Sequence, residues 1–258
     1  MLKYLKASHL APTPLVTTLA FLLSHKLYDF SHSLVIGLTI FTGQLLVGWT
    51  NDLLDCESDR LQNRSDKPLV NGELSSTSLM RAIRIDLPLC VALSLLGPLG
   101  LRGGLVHLFG VGCGVSYNFY FKKRLSSFLP YTLAFAALPA APYIAKGIMP
   151  PLWMVIVGAG FGKVAHFANV LQDLEADRAL GIYGLPQRIG ANKSIAISVS
   201  ALLIITPMIA AHRPHFAVLA FFALFVALAA LIVRPKKFGF IAIMALALID
   251  VLILAITK

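Results

Sequence analysis

The sequence contains one acidic motif twice, and this repeat constrains the chain more than any other feature. The first copy runs from Asn51 to Arg60, and the second, 118 residues later, runs from Asn169 to Arg178. Both copies read N-x-x-x-D-x-x-x-D-R. Over 51–72 and 169–190, eight of 22 positions are identical, where chance gives about one or two. The chain therefore contains an internal repeat.

Each copy predicts a row of oxygen ligands on one side of a helix. Positions i, i+4 and i+8 of an α-helix fall within an arc of about 80°. Both copies follow long apolar runs, and carboxylates at the end of a membrane segment are costly unless a cation binds there. A solvated acidic helix end would not explain duplication at a fixed spacing. We therefore expect a site built from Asn51, Asp55 and Asp59 and from Asn169, Asp173 and Asp177.

The composition indicates a polytopic membrane protein. Of the 258 residues, 57% are hydrophobic and 13% are charged, with a mean hydropathy of +0.79. The apolar residues form runs close to the length that crosses a bilayer. The net charge of +10 comes from cations scattered between the runs, so we do not expect nucleic acid as a partner. We predict nine spanning helices near 12–30, 33–51, 77–98, 101–119, 126–145, 150–170, 193–211, 215–233 and 238–256.

The distribution of Lys and Arg predicts the orientation of these helices. With the N-terminus in the cytoplasm, 14 of the 22 Lys and Arg residues lie in cytoplasmic segments, as the positive-inside rule requires. An offset of 118 residues corresponds to four helices, so both acidic motifs emerge on the cytoplasmic side and can face one cavity. We expect a single domain over 1–258, with repeat halves of about 1–125 and 126–237 and a ninth helix at 238–258.

The density of carboxylates favours a magnesium site. Seven of the 12 Asp and Glu residues lie in the two motifs, and such oxygen-rich clusters suit Mg²⁺, particularly when substrate phosphate completes the coordination. Asp52 lies beside Asp59 on the helix and is a further candidate ligand, although Val170 replaces it in the second copy. Cations of nearby loops can bind the diphosphate oxygens: Arg60, Arg64, Lys67, Lys122, Arg178 and Arg188.

At these residues the sequence resembles the UbiA superfamily of intramembrane prenyltransferases. The resemblance rests on the first motif with Lys67-Pro68-Leu69 and Gly72, and on the second motif with Gly181, Leu185-Pro186 and Arg188-Ile189-Gly190. It implies nine helices around a central cavity, and a polyprenyl diphosphate whose tail leaves through a lateral portal into lipid. It also implies Mg²⁺ ligation by Asn51, Asp55, Asp59, Asp173 and Asp177.

The chemistry implied is ionisation of an allylic C–O bond, followed by capture of the carbocation by an acceptor and loss of a proton. An aromatic acceptor, such as a 4-hydroxybenzoate- or naphthoate-like ring, is the commonest in such a family. Residues expected to line the cavity or contact the acceptor are Gln44, Tyr117, Lys163 and His166.

Other readings remain open at this point. A phosphorylated sugar or lipid could replace the aromatic acceptor, or the enzyme could cyclise its prenyl substrate. A cation transporter could use the same aspartates, although transport favours acidic residues near the bilayer midplane rather than at helix ends. CDP-alcohol phosphotransferases also use membrane aspartates, but their D-G-x-x-A-R core is absent. No obligate protein partner is evident from the sequence.

Overall fold

A computed structural model describes residues 2–8, 12–233 and 245–253, and within these ranges the chain forms helices and no strands. Short 3-10 turns at Phe121–Lys123 and Pro214–Phe216 connect some of the helices. In chain order the helices are α1 (Leu2–Ala7), α2 (Pro12–Ser24), α3 (Phe30–Leu61), α4 (Ser76–Leu96), α5 (Gly100–Phe119), α6 (Phe128–Ala145), α7 (Leu152–Ala179), α8 (Leu185–Ile189), α9 (Ala191–His212), α10 (Ala217–Val233) and α11 (245–253).

The apolar runs of the sequence correspond to helices. The eight runs that end by residue 233 coincide with α2 to α7, α9 and α10. Only 245–253 of the ninth run belongs to the described part of the chain; the remainder of the expected helix at 238–258, with Arg234, Lys236 and Lys237 before it, lies outside the described residues. The all-helical prediction is therefore confirmed.

Fewer helices satisfy a strict criterion for crossing a membrane. Among the described residues, four helices are long and apolar enough by length and composition alone: α3, α6, α7 and α9. The helices α4 and α5 have the length but carry more polar and charged residues, including Arg81, Arg84 and Asp86 in α4. Nine membrane crossings therefore stay a prediction.

The two motif helices are the longest of the described part of the chain, with 32 residues in α3 and 28 in α7. The apolar runs end near 51 and 170, but the helices continue through the acidic motifs to Leu61 and Ala179. The helical placement of both motifs, on which their shared face depends, is therefore confirmed.

The start of α3 is capped by Asp29, whose carboxylate accepts the backbone N–H of His32 at 2.9 Å. This bond is the main cause that holds the pKa of Asp29 below its usual range.

The chain divides into two compact units. The first contains 1–120 and 137–150, and the second contains 121–136 together with the described residues from 151 onward. The first motif belongs to the first unit, and the second motif belongs to the second unit. Each unit has its own packed helices, so each is described by itself.

In the first unit, an apolar cluster packs beneath the first motif. Leu45 and Trp49 of α3 contact Leu69 and Leu74 of the following loop and Leu79 of α4. All five are buried, and Trp49 donates its indole N–H to the carbonyl oxygen of Tyr4 in α1 at 2.8 Å. Close van der Waals packing of these side chains favours the packed arrangement. The loop after the motif is therefore fixed against α3.

A polar seam joins α4 to α5 in the same unit. Ser94 donates to the carbonyl oxygen of Cys90 at 2.6 Å, so its oxygen accepts from Nδ1 of His107 at 2.8 Å. Ser94 and His107 are both buried. The two helices approach closely because Gly104 of α5 lies against the Ser94 carbonyl, where a Cβ atom would overlap that oxygen. In membranes, small residues of this kind allow close helix contact.

In the second unit, α7 packs against α9 and α8. Gly160 of α7 lies against Ile205 of α9, and Gly162 lies against the backbone of Tyr131 in α6. Thr206 of α9 donates to the buried carboxylate of Asp250 in α11 at 2.5 Å. These contacts fix the helix that carries the second motif.

We predict that Gly104→Ala destabilises the protein and that Gly112→Ala on the same helix does not. At Gly104 the new methyl group overlaps the Ser94 carbonyl, whereas at Gly112 no atom lies within 4 Å of the added Cβ. Overpacking costs about 1–3 kcal/mol, while Ala gains up to about 1 kcal/mol over Gly in a helix interior. Thermal unfolding of the detergent-solubilised variants measures both. Equal melting temperatures for the two variants would contradict the packing described.

Candidate active site

The first motif contains two buried carboxylates. Asn51 and Asp55 are half-buried on α3, whereas Asp52 is 1% exposed and Asp59 is 6% exposed. Carboxylates removed from water to this extent need charged or hydrogen-bonding partners. The motif therefore requires cations from elsewhere in the first unit.

Those cations come from the loop that follows α3. The ammonium of Lys67 lies 2.7 Å from Oδ1 of Asp52 and 4.0 Å from Oδ2 of Asp59. The guanidinium Nη1 of Arg64 lies 3.9 Å from Oδ1 of Asp59. The second oxygen of Asp52 is buried and has no hydrogen-bond partner among the described residues. The structure thus brings together two of the predicted cations, the last aspartate of the first motif and Asp52, the further candidate ligand.

The loop holds Lys67 through its own backbone. Lys67 donates its N–H to the carbonyl of Arg64 at 3.1 Å, and its own carbonyl accepts from Val70 and Asn71 at 3.0 Å. Further along, Gly72 has a φ of 82°, a conformation that glycine adopts without strain. The turn places Leu69 and Leu74 in the apolar cluster beneath the motif. The backbone of the loop therefore fixes the position of Lys67.

The second motif is held by a neutral amide. Asp177 is 8% exposed, and its Oδ2 accepts from Nε2 of Gln187 at 2.8 Å. The main-chain carbonyl of Gln187 accepts from Nε and Nη2 of Arg178 at 2.8 and 2.5 Å. Asp177 thus binds the side chain of Gln187, and Arg178 binds its backbone carbonyl. Asp173 is half-buried and Asn169 is exposed.

A second set of contacts ties the loop after α7 to the segment before α6. Ser127 accepts the N–H of Leu185 at 3.1 Å and hydrogen-bonds Nε2 of the buried His166 at 3.1 Å. Gly184 lies against the carbonyl of Lys122, at a distance that leaves no room for a Cβ atom. His166 also packs against the ring of Tyr131, with 5.2 Å between the ring centroids. These are the contacts of a packed histidine that orders the loop.

The remaining predicted residues are placed as follows. Arg188 is exposed and donates Nε to the carbonyl of Tyr183 at 2.9 Å. Arg60 is also exposed on α3. The ammonium of Lys163 lies 6.0 Å from the ring centroid of Phe128. Gln44 and Lys122 are half-buried, and Tyr117 is 5% exposed. Roles of these residues in substrate binding stay predictions.

The donor set suits a hard divalent cation. Both motifs supply carboxylate and amide oxygens, the ligands preferred by Mg²⁺, and the buried Oδ2 of Asp52 is an acceptor without a partner among the described residues. Within the described ranges, no three His, Cys, Asp or Glu side chains already converge as a metal cluster. The chemistry fits magnesium, and substrate phosphate would complete its coordination.

Sequence reasoning missed two residues of this region. Gln187 lies inside the Leu185-to-Gly190 segment that carried the resemblance, but the repeat aligns it with Leu69, which hides its polar role. Ser127 lies at the start of the apolar run predicted at 126–145, and no spacing marks it. Only tertiary contacts identify these two side chains.

The described chain is all-helical, several of its helices are apolar enough to cross a membrane, and the acidic end of α3 lies beside two loop cations. These features define an integral membrane protein that holds carboxylate oxygens next to cations. A model of the UbiA prenyltransferase family matches residues 12–249, so the chain belongs to that family. It is accordingly an enzyme that transfers prenyl groups. The recognition made from the two motifs is confirmed.

Solved structures support the same fold. A UbiA homologue from Archaeoglobus fulgidus bound to GPP and Mg²⁺ gives a TM-score of 0.71 at 18% identity, over 96% of this chain and 99% of the other. An apo UbiA homologue from Aeropyrum pernix K1 gives 0.73 at 15% identity, over 92% and 94%. A structure described as digeranylgeranylglyceryl phosphate synthase in membranes gives 0.65 at 18% identity, over 98% and 97%. No curated protein matches the chain.

We predict that Gln187→Leu slows prenyl transfer by about tenfold or more, because the carboxylate of Asp177 loses a charge-assisted hydrogen bond that orients it. Leucine suits the buried position in volume. The matched control is Gln172→Leu, since Gln172 is exposed on α7. Steady-state rates and melting temperatures of both variants measure the effect. Equal rates for the two variants would remove Gln187 from the positioning of Asp177.

Proposed function

We propose that this protein transfers a prenyl group from an allylic polyprenyl diphosphate to an aromatic acceptor, with Mg²⁺ as cofactor. The reaction takes place within the membrane, and the loops that follow the two motif helices lie on the cytoplasmic side together with the N-terminus. The distribution of Lys and Arg supports that orientation. The family membership supports the reaction class.

One observation carries the proposal more than any other. At the end of α3, buried carboxylates and loop cations occupy the same few ångströms: Lys67 contacts Asp52, and Arg64 lies beside Asp59. A site for a metal diphosphate needs both signs of charge, because anionic oxygens bind the metal while cations bind the phosphate oxygens. A site for a cation alone would not need Lys67 and Arg64.

The motif residues hold the substrate at its charged end. Asn51, Asp55 and Asp59 supply oxygens in the first motif, and Asn169, Asp173 and Asp177 supply them in the second. Magnesium, when bound, neutralises the diphosphate and makes it a better leaving group. Lys67 and Arg64, with Lys122, Arg60, Arg178 and Arg188 as further candidates, bind phosphate oxygens whose negative charge grows as the C–O bond breaks. The binding of Mg²⁺-diphosphate to related structures supports this assignment.

The apolar part of the substrate requires a dry environment. The allylic C–O bond breaks, a C–C bond forms to the acceptor ring, and the ring loses a proton. Water would capture the carbocation, so the surrounding side chains must exclude it. Gln44, Tyr117, Lys163 and His166 are the residues that we expect near the acceptor. The buried Tyr117 and half-buried Lys163 suit that role by their burial.

A phosphorylated glycerol lipid is the second candidate acceptor. The observation in its favour is the similarity to the digeranylgeranylglyceryl phosphate synthase structure, which spans nearly the whole of both chains. The same diphosphate chemistry applies, but a C–O bond then forms in place of a C–C bond. The two acceptors are separated by the product.

A cation transporter is the candidate of another class. Its supporting observation is Asp86, which is buried in the middle of α4 and has one carboxylate oxygen without a partner among the described residues. The motif aspartates argue against transport, because Asp59 and Asp177 lie within the last turn of their helices. Ion flux in liposomes tests this alternative directly.

The deciding experiment uses the purified protein with Mg²⁺, a panel of allylic diphosphates and both classes of acceptor. Release of diphosphate is followed together with mass spectrometry of the prenylated product. We expect Mg²⁺-dependent release that requires an acceptor. Ion flux in liposomes without diphosphate release from any substrate would overturn the proposal. A lipid that co-purifies with the protein would identify the tail length.

We predict that Asp55→Ala and Asp173→Ala each abolish turnover, because each removes a metal ligand and leaves the helix intact. Glu57→Ala is the control, since Glu57 is an exposed carboxylate on the same helix as Asp55 and points away from its stripe. It should retain nearly full activity. Diphosphate release at saturating Mg²⁺ measures all three. Activity in either aspartate variant within about threefold of wild type would remove that residue from the metal site.

A further inference from the structure

Lys67 occupies a place at the first motif that a metal ion would also favour. Its ammonium lies 2.7 Å from Asp52 and 4.0 Å from Asp59, and the Lys67 side chain is 11% exposed. A Lys side chain is a compact point charge on a flexible stem. Here its stem crosses from the loop to the helix, so that the charge lies between two buried carboxylates.

The ion pair between Lys67 and Asp52 is a specific feature of the fold. Asp52 is 1% exposed and accepts from the ammonium of Lys67 at 2.7 Å, while its second oxygen has no hydrogen-bond partner among the described residues. Removing one partner of a buried ion pair leaves an uncompensated charge that is strongly destabilising. The pair is also particular to the first copy, because the second has Val170 and Leu185 at the corresponding positions. Asp52 therefore acts as a positioning residue for Lys67.

The position of the ammonium has a consequence for metal binding. A divalent cation that approaches Asp59 meets the positive charges of Lys67 and Arg64 within about 4 Å of the carboxylate. Such repulsion is strong at the effective dielectric of a partly buried site. A diphosphate changes the balance, because it offers both cations anionic oxygens of their own. Lys67 can then leave Asp59 without losing a partner.

We propose that Lys67, positioned by Asp52, excludes divalent metal from the first motif until a diphosphate arrives, so that metal and diphosphate load together. The proposal rests on the proposed function, because it assumes that the first motif binds a metal diphosphate. It assigns to Lys67 a role before the reaction, in addition to the contact with phosphate oxygens. The ion pair with Asp52 stabilises the end of α3 while the metal is absent.

The test is equilibrium dialysis of the purified wild-type protein against Mn²⁺, alone and with methylenediphosphonate. The Mn²⁺ retained with the protein is measured, because the small Mn²⁺-diphosphonate complex passes through the dialysis membrane. Mn²⁺ stands in for Mg²⁺, and the diphosphonate cannot be ionised as a substrate. We expect at least about tenfold tighter Mn²⁺ binding in the presence of the diphosphonate. Equal affinity under both conditions would overturn the inference alone. Absence of Mn²⁺ binding under both conditions would overturn the proposed function as well.

Three variants assign the effect to Lys67. In Lys67→Met, Mn²⁺ alone should bind at least about tenfold tighter than in wild type, since the competing charge is gone. Lys67→Arg keeps the charge and should behave as wild type. Arg84→Met removes one positive charge from an exposed position of α4 in the same unit and should also leave Mn²⁺ binding unchanged. Binding of Mn²⁺ alone by Lys67→Met that is no tighter than by Arg84→Met would overturn the role of Lys67. If Lys67→Met does not fold, the wild-type comparison decides.

Discussion

The structure of the first unit depends on one constraint, which is that a carboxylate buried near a helix end needs a charged or hydrogen-bonding partner. Asp52 and Asp59 are nearly inaccessible to water, and an isolated charge in such a place is prohibitively costly. The loop after α3 satisfies this need by turning back until Lys67 reaches Asp52, fifteen residues earlier in the chain. The apolar cluster around Trp49 then holds the returning loop in place. Charge compensation and apolar packing thus fix the same segment.

The second unit meets the same constraint with different chemistry. Its last aspartate, Asp177, accepts from the neutral amide of Gln187, and Arg178 is turned toward the backbone of the loop. At the corresponding positions of the first copy, the sequence has Leu69 in place of Gln187. The two copies therefore share the aspartates of the repeated motif but not their partners. We infer that the two motifs differ in their net charge environment, although their sequences read alike.

The sequence predicted the helices and the motifs because both depend on local periodicity. Apolar runs indicated eight of the helices, and the four-residue spacing placed the acidic residues on helical faces that the structure confirms as helical. The predicted apolar runs end about ten residues before α3 and α7 do, because the charged motifs that complete both helices carry no apolar signal. The ion pair of Lys67 and the amide of Gln187 were not predictable, because non-local contacts choose among many equivalent cations and amides. For Asp52, helical spacing predicted only that it lies beside Asp59 on the helix.

A site that is balanced by its own side chains can fold before its ligands arrive. Where metal ligands have no internal partner, binding of the metal supplies the folding free energy, and the apo protein is unstable. In this chain Lys67 and Arg64 neutralise part of the first motif in the absence of any ligand. The end of α3 and its loop can therefore reach their native arrangement independently of magnesium. This arrangement lowers the affinity of the motif for metal, because every cation that stabilises the empty motif must be displaced or shared when metal and diphosphate bind.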